Sequence, residues 1–104
     1  METIKKSEIM SALGSFVSVR NTESRNGYGT APNQFLLKFE NGTVFQSYDS
    51  LIGVRIYGDS KLYLTNNHDC SNTTSGYCGR WCGRKCAERR KMLKDGSAVL
   101  IVEG

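Results

Sequence analysis

Apolar and polar residues alternate in short runs through most of the chain, a pattern that is typical of β-strands. The runs bounded by Gly, Asn, Asp or Ser lie at residues 16–20, 34–40, 43–48, 51–57 and 61–65. A last run, 97–103, is apolar almost throughout, which is typical of a strand buried on both faces. Together they predict an antiparallel sheet of five or six strands, with the last strand near the centre.

Two of these runs are joined by Asn41-Gly42, the pair that best supplies the positive φ angles of a type I′ hairpin turn. A two-residue loop at that point predicts Phe39 opposite Val44 and Leu37 opposite Gln46. Both faces of this hairpin are partly apolar, so the sheet needs cover on each side. A second hairpin is predicted around residues 58–60, where Gly, Asp and Ser are consecutive.

Helical spacing of apolar residues appears near both ends of the chain. Residues 75–94 form the predicted main helix, which begins near Thr73, Thr74 or Ser75 and ends at Gly96. A short N-terminal helix is predicted within residues 3–14, with Gly14 as its stop. The sequence therefore predicts an α+β fold, in which one main amphipathic helix packs on the sheet.

Length and composition are those of one folded domain. The chain has 104 residues, of which 38% are hydrophobic and 23% charged, and it contains a single proline. This predicts one domain over residues 1–104 with a core of its own. No apolar stretch is long enough to span a membrane, and the N-terminal segment is too polar for a secretory signal, so we expect a cytoplasmic protein.

Positive charge is concentrated in the predicted main helix. Residues 80–94 contain seven Lys and Arg against one Glu, so this segment carries +6 and the rest of the chain −2. Helical spacing places five of the seven opposite the apolar face: Arg80, Arg84, Arg90, Lys91 and Lys94. Such a stripe is either a solvated helix face or a surface for phosphates or an acidic protein. Lys85 and Arg89 fall on the apolar side.

Four cysteines follow His68 within a short segment: Cys70, Cys78, Cys82 and Cys86. Thiolate and imidazole are ligands of zinc and of iron–sulfur clusters, so a metal site is one interpretation. On an unbroken helix, however, Cys78 and Cys86 lie about 12 Å apart along the axis, too far for one tetrahedral ion. We therefore expect reduced cysteines that pack as small apolar groups, with no metal and no cofactor.

Three segments carry a family resemblance: GYGTAPNQF at 27–35, FQSYDSLI at 45–52 and HDCSNTT at 68–74. On these motifs the chain resembles a family of small uncharacterised proteins of tailed phages and prophages, over residues 16–102. The resemblance implies a viral origin and a place in the host cytoplasm, and it implies no activity. It also implies a fold that does not depend on metal, because the family pattern has no cysteine-rich helix.

No catalytic set is present, and two binding functions are predicted instead of an enzyme. The first is a phage accessory protein that binds and modulates a host protein, such as a defence nuclease or a nucleic-acid-processing factor. Its basic stripe would speed association, and the polar residues Tyr28, Asn33 and Gln34 would add specific contacts. The alternative is a nucleic-acid-binding module that uses the stripe on phosphates, with Tyr77 and Trp81 as stacking groups. Neither function involves a membrane, and the oligomeric state stays open.

Overall fold

The computed structural model describes residues 1–103, so Gly104, the last residue of the predicted domain, lies outside the described residues. Within them, seven strands form one sheet: β1 (Thr3–Lys5), β2 (Phe16–Glu23), β3 (Thr30–Phe39), β4 (Gly42–Ser47), β5 (Ser50–Ile56), β6 (Leu62–Leu64) and β7 (Ala98–Val102). Three α-helices and one 3-10 turn accompany them: α1 (Lys6–Leu13), the turn Asn66–Asp69, α2 (Asn72–Cys82) and α3 (Cys86–Asp95). The strands lie in the order β1-β7-β6-β5-β4-β3-β2.

The α+β class is confirmed, and the predicted sheet of five or six antiparallel strands is corrected in two respects. The described sheet has seven strands, because the first residues form β1 rather than helix. It is also mixed, since β7 runs parallel to both β1 and β6. The chain reaches β7 through helices, and such a crossover returns it in the parallel direction. The predicted central place of β7 is also corrected: only β1 lies outside it, so β7 is second from one edge, although residues on both of its faces are buried.

The first hairpin forms, but its predicted register is wrong by two residues. Phe39 pairs with Gly42 and Leu37 with Val44, so the turn is Glu40-Asn41 and Gly42 has no positive φ. The C-terminal end of α1 dictates this turn, because the Leu13 carbonyl accepts a hydrogen bond from the Asn41 backbone N–H at 2.9 Å. A shift of two residues keeps every side chain on its predicted face.

The predicted single helix 75–94 is wrong, because the chain breaks it into α2 and α3. Gly83 ends α2 in the left-handed conformation with φ 74°, and α3 starts at Cys86. The start of α2 also lies earlier than predicted, because the Ser71 side chain accepts a hydrogen bond from the Thr74 N–H at 3.1 Å. The predicted helix ends at Gly14 and Gly96 are confirmed.

Both faces of the sheet are covered by helix, as the apolar faces of the hairpin require. On one side α2 and α3 pack over a cluster that includes Phe45, Ile52, Leu64, Cys78 and Cys82. On the other side α1 packs over a cluster that includes Ile9, Leu13, Phe39, Val44 and Val54. We call these the α2 side and the α1 side. Among residues 1–103, no helix is long and apolar enough to cross a membrane.

We predict that Gly42→Ala destabilises the protein by about 2–3 kcal/mol, because overpacking costs of this order follow when a close backbone contact is displaced. A Cβ at Gly42 would overlap the backbone oxygen of Arg55 and lie 2.9 Å from Leu13 Cδ2. Urea unfolding followed by circular dichroism measures the loss. Lys38→Ala, at an exposed strand position, is the control and should change stability by less than about 0.5 kcal/mol. A Gly42→Ala loss no larger than the control would contradict the packing described here.

Candidate binding surfaces

The five basic residues predicted as a stripe are all exposed and lie on the outer surface of α2 and α3: Arg80, Arg84, Arg90, Lys91 and Lys94. We call this surface, together with exposed Lys85, the basic layer. Two of its arginines already hold carboxylates, since Arg84 binds Glu88 at 2.6 Å and Arg90 binds Asp69 at 2.7 Å. Within residues 1–103, Lys91 and Lys94 form no ion pair. The lysines therefore carry most of the uncompensated charge.

Arg89, which helical spacing places on the apolar side, is fully buried between α2 and α3. Its Nε donates to Nδ1 of His68 at 3.0 Å, and Nη1 donates to the Arg84 carbonyl at 2.7 Å. Nη2 donates to the His68 carbonyl at 3.1 Å and to Ser75 Oγ at 2.8 Å. One guanidinium therefore connects the 3-10 turn, α2, the 83–85 break and α3.

His68 must be neutral to accept a hydrogen bond from Arg89. Burial lowers the pKa of His68 below its ordinary value of 6.5, although the nearby Asp69 carboxylate acts in the opposite direction. The hydrogen bond from Arg90 in turn lowers the pKa of Asp69, which keeps that carboxylate charged. The site therefore pairs an arginine with a neutral imidazole at physiological pH.

The cysteines lie where the packing interpretation expects them, with one exception. Cys78 and Cys82 are buried in the α2-side cluster, Cys86 is half-buried and Cys70 is exposed. All four are free thiols. Within residues 1–103, no three His, Cys, Asp or Glu side chains converge to hold a metal ion. A hydrogen bond from Cys78 lowers the pKa of Cys82 to about 6 and raises that of Cys78.

The two aromatic residues proposed for base stacking are engaged within the protein. Trp81 stacks on Phe45 with ring centroids 6.0 Å apart. The Tyr77 hydroxyl accepts a hydrogen bond from the Arg25 N–H at 3.0 Å, and the Arg25 guanidinium lies 5.9 Å from the Tyr77 ring centre. Each ring therefore uses one of its faces within the protein, which leaves less aromatic surface for nucleic-acid bases to stack on.

The three polar residues predicted to give specificity do not form one surface. Asn33 and Gln34 line a pocket of about 150 Å³ together with Tyr48, Thr73 and other residues, whereas Tyr28 is highly exposed and does not line it. Gln34 is buried, and its Oε1 has no hydrogen-bond partner among the described residues. The three segments that carry the family resemblance all contribute to this end of the sheet, where Ser47 Oγ lies 2.9 Å from Thr74 Oγ1.

The β2 edge is a surface that the sequence analysis missed. Phe16, Val17 and Val19 are 54%, 57% and 54% exposed, although their strand is eight residues long and apolar in its first half. The alternating pattern of FVSV predicts a strand, but it does not say which strand lies at the edge of the sheet. Only the strand order reveals that these side chains have no cover.

We predict that the four thiols react in the order of their exposure. Cys70 should react with Ellman's reagent within seconds and Cys86 more slowly, whereas Cys78 and Cys82 should react only on unfolding, because burial blocks the reagent despite the lowered pKa of Cys82. Thiol counts in native and urea-unfolded protein provide the measurement. Protection of Cys86, with one equivalent of zinc or iron in elemental analysis, would instead indicate a metal site.

We also predict that stability decreases as the pH is lowered from 6.5 towards 5. The folded-state pKa of His68 is below its unfolded value of 6.5, so in this range the unfolded state binds more protons. The contribution of neutral His68 to the free energy of unfolding is complete above pH 6.5. It is lost as the pH falls from the unfolded-state pKa to the folded-state pKa. His68 is the one histidine of the chain, so His68→Gln, which keeps an acceptor for Arg89, should flatten the profile. An unchanged slope in that variant would show that another group is responsible.

Comparison with known proteins identifies the family and nothing more specific. A family profile matches residues 7–96, most of the chain, and is described as a family of unknown function, DUF8033. No curated protein matches the sequence, and no solved structure matches the fold. The chain belongs to the DUF8033 family.

Proposed function

We propose that this chain is a small phage-encoded accessory protein, not an enzyme, that binds and modulates a host protein in the host cytoplasm. The phage origin is supported by the resemblance of the three motifs described above. The observation that carries the binding function is the β2 edge, where an unpaired strand coincides with exposed apolar side chains. Sheet edges of this kind are usually shortened, charged or covered in proteins that act alone.

The first step of the argument concerns the backbone of β2. Among the described residues β2 pairs with β3 alone, so its outer side offers unpaired N–H and C=O groups, with irregularities at Val17 and Thr22 and with the Glu23 carbonyl already bound by Arg80. An extended segment of another protein can pair with such an edge, and main-chain hydrogen bonds then supply much of the affinity. The β2 edge therefore suits a partner that contributes a strand.

The second step concerns the two faces beside that edge. On the α1 side, Phe16 packs edge-on against Phe39 at 5.6 Å, and Val19 pairs with Leu37, so this face is apolar. On the α2 side, Arg20 and Lys38 are exposed. Because side chains alternate along a strand, the best partner strand alternates apolar residues on one face with acidic residues on the other.

The third step distinguishes this partner from a second copy of the chain. Two copies joined antiparallel through β2 would be related by a twofold axis perpendicular to the sheet. Their α2 sides, each with Arg20, Lys38 and the basic layer, would then lie next to each other. Like charges would repel, whereas an acidic host protein would be attracted by the same charges.

A nucleic-acid-binding module remains the second candidate, and the exposed basic layer is the observation that favours it. Phosphate contacts need only accessible cations, which Lys85, Lys91 and Lys94 provide. Tyr77 and Trp81 each have a partner within the protein, which reduces the aromatic surface that would strengthen such binding. We therefore rank this function below protein binding.

The test is capture of a partner from the host bacterium with tagged wild-type protein, followed by hydrogen exchange on the purified complex. We expect one stoichiometric protein to survive a high-salt wash and to protect the amides of residues 17–23. Val19→Lys should abolish its capture, because it places a charge on the apolar face. Tyr57→Lys is the matched control, since Tyr57 is 56% exposed but lies beyond β5, and it should retain the partner.

Two results would count against the proposal. A partner captured equally by wild type and Val19→Lys, with no protection of β2, would place the interface elsewhere. Recovery of nucleic acid alone, released steeply with salt and lost when Arg84 and Lys91 are both changed to Glu, would favour the second candidate.

A further inference from the structure

The charge of Arg89 has no anionic partner in the structure. Arg89 is completely buried, yet within residues 1–103 no carboxylate oxygen lies within ion-pair distance of its guanidinium. Its acceptors are carbonyl oxygens, a hydroxyl and a neutral imidazole. A buried cation normally has a counter-ion, because hydrogen bonds to neutral groups compensate only part of its lost hydration.

One N–H of this guanidinium is still available. Arginine has five N–H groups. Nε donates to His68 Nδ1, Nη2 donates to the His68 carbonyl and to the hydroxyl and carbonyl of Ser75, and Nη1 donates to the Arg84 carbonyl alone, so one Nη1 hydrogen has no acceptor among the described residues. Nη1 lies beside Gly79, because a Cβ at that position would be 3.4 Å from it. With no side chain at Gly79, Nη1 lies directly behind this residue, although the guanidinium itself has no exposed surface.

Gly79 borders a groove of about 560 Å³ between α2 and α3, which Arg89 itself helps to line. Its floor includes Gly79 of α2 and Gly83 of the break that follows, whereas Gly76, which also lines it, is covered by the Arg25 guanidinium. Its rim carries the exposed cations Arg80, Arg84 and Lys85, and no Asp or Glu lines it. The groove is therefore cationic on its rim, open at its floor and next to a buried guanidinium.

We propose that this groove binds the phosphate group of a phosphate ester. A tetrahedral anion offers several acceptor oxygens, which suits the fork of an arginine together with flexible lysine and arginine side chains. The glycines allow the ligand to approach the backbone closely, and the volume leaves room for the group that the phosphate is attached to. The α3 N-terminus, which has no side-chain cap, adds a favourable dipole at Lys85. This site is independent of the β2 edge.

The test is titration of ¹⁵N-labelled protein with adenosine monophosphate and, separately, with inorganic phosphate. We expect saturable shifts at the amides of Gly79 and Gly83 and at the Arg89 Nε–H. Lys85→Glu should weaken binding at least tenfold, because it reverses a charge on the rim. Lys94→Glu makes the same change of charge outside the groove and should weaken binding less than twofold.

Gly79→Ala is the second variant, because it narrows the groove without any change of charge. Its Cβ would lie 3.3 Å from the Arg84 carbonyl oxygen and 3.4 Å from Arg89 Nη1, and alanine favours helix, so the variant should fold. It should weaken binding at least fivefold. Binding of both ligands would indicate that the phosphate alone is recognised, and binding of the nucleotide alone that the attached group also contributes.

Three results would overturn the proposal: no saturation by either ligand at millimolar concentration, equal weakening by Lys85→Glu and Lys94→Glu, or an unaffected Gly79→Ala variant. Equal weakening, accompanied by salt-sensitive binding of duplex DNA, would show diffuse attraction to the whole basic layer. None of these results bears on capture of a host protein through β2, so the two proposals fail separately.

Discussion

The arrangement of the α2 side depends on the hydrogen bonds of the buried Arg89 guanidinium. The break at residues 83–85 separates α2 from α3, and a break of this kind would let the second helix move unless something held it. Arg89 binds groups on both sides of the break as well as in the 3-10 turn. These bonds from one charged donor hold the 3-10 turn, α2 and the break relative to α3 more firmly than small apolar contacts could. They also require His68 to stay neutral, which its burial ensures.

A second constraint is how little helix the chain has for covering a seven-stranded sheet. α1 has only eight residues and packs over β3 to β5 and β7, while α2 and α3 pack over β4 to β7. The cluster under α1 contains no residue of β2, and α2 reaches only the C-terminal end of that strand, where Arg80 Nη1 donates to the Glu23 carbonyl at 3.3 Å. The apolar residues of β2 therefore stay exposed on the α1 side, and Arg20 stays exposed on the α2 side. Exposure of this edge is thus a consequence of helix length and strand order. It is also what makes the edge suitable for a partner strand.

Local patterns predicted the elements of this fold better than their connections. The alternation of apolar and polar residues identified β2 to β6, and the continuous apolar run identified β7. Each pattern depends only on which residues of its own segment are buried. The register of the first hairpin was missed because α1, which lies far away in sequence, holds Asn41. The parallel pairing of β7 was missed for a similar reason, since nothing in its residues specifies the direction of its neighbours. The three-residue β1 is too short for any period to be visible.

For the candidate sites, too, the sequence predicted features that depend on one segment, and it missed features that depend on contacts between distant segments. The basic layer was predicted from spacing alone, because exposed cations on a helix need no tertiary partner. Arg89 and Lys85 both departed from that spacing, yet only Arg89 is buried, and its acceptors come from segments that spacing cannot relate. The groove between α2 and α3 was missed because one helix was predicted over 75–94, and its shape depends on how α3 packs after the break at Gly83.

The family motifs take on a structural meaning from their position relative to Arg89. Ser47 of β4 lies 2.9 Å from Thr74 of α2, and the Tyr48 N–H donates to the Asn33 carbonyl at 2.7 Å, so three distant segments meet where α2 begins. The residue after Thr74 is Ser75, whose hydroxyl accepts from Arg89. The motif residues thus fix the start of α2 in the position that places the Ser75 hydroxyl within hydrogen-bond distance of the Arg89 guanidinium. Their first role is therefore to position the helical layer. Among the exposed cations of that layer, Arg90 takes part in the same arrangement, because its side chain binds Asp69 of the third motif at 2.7 Å.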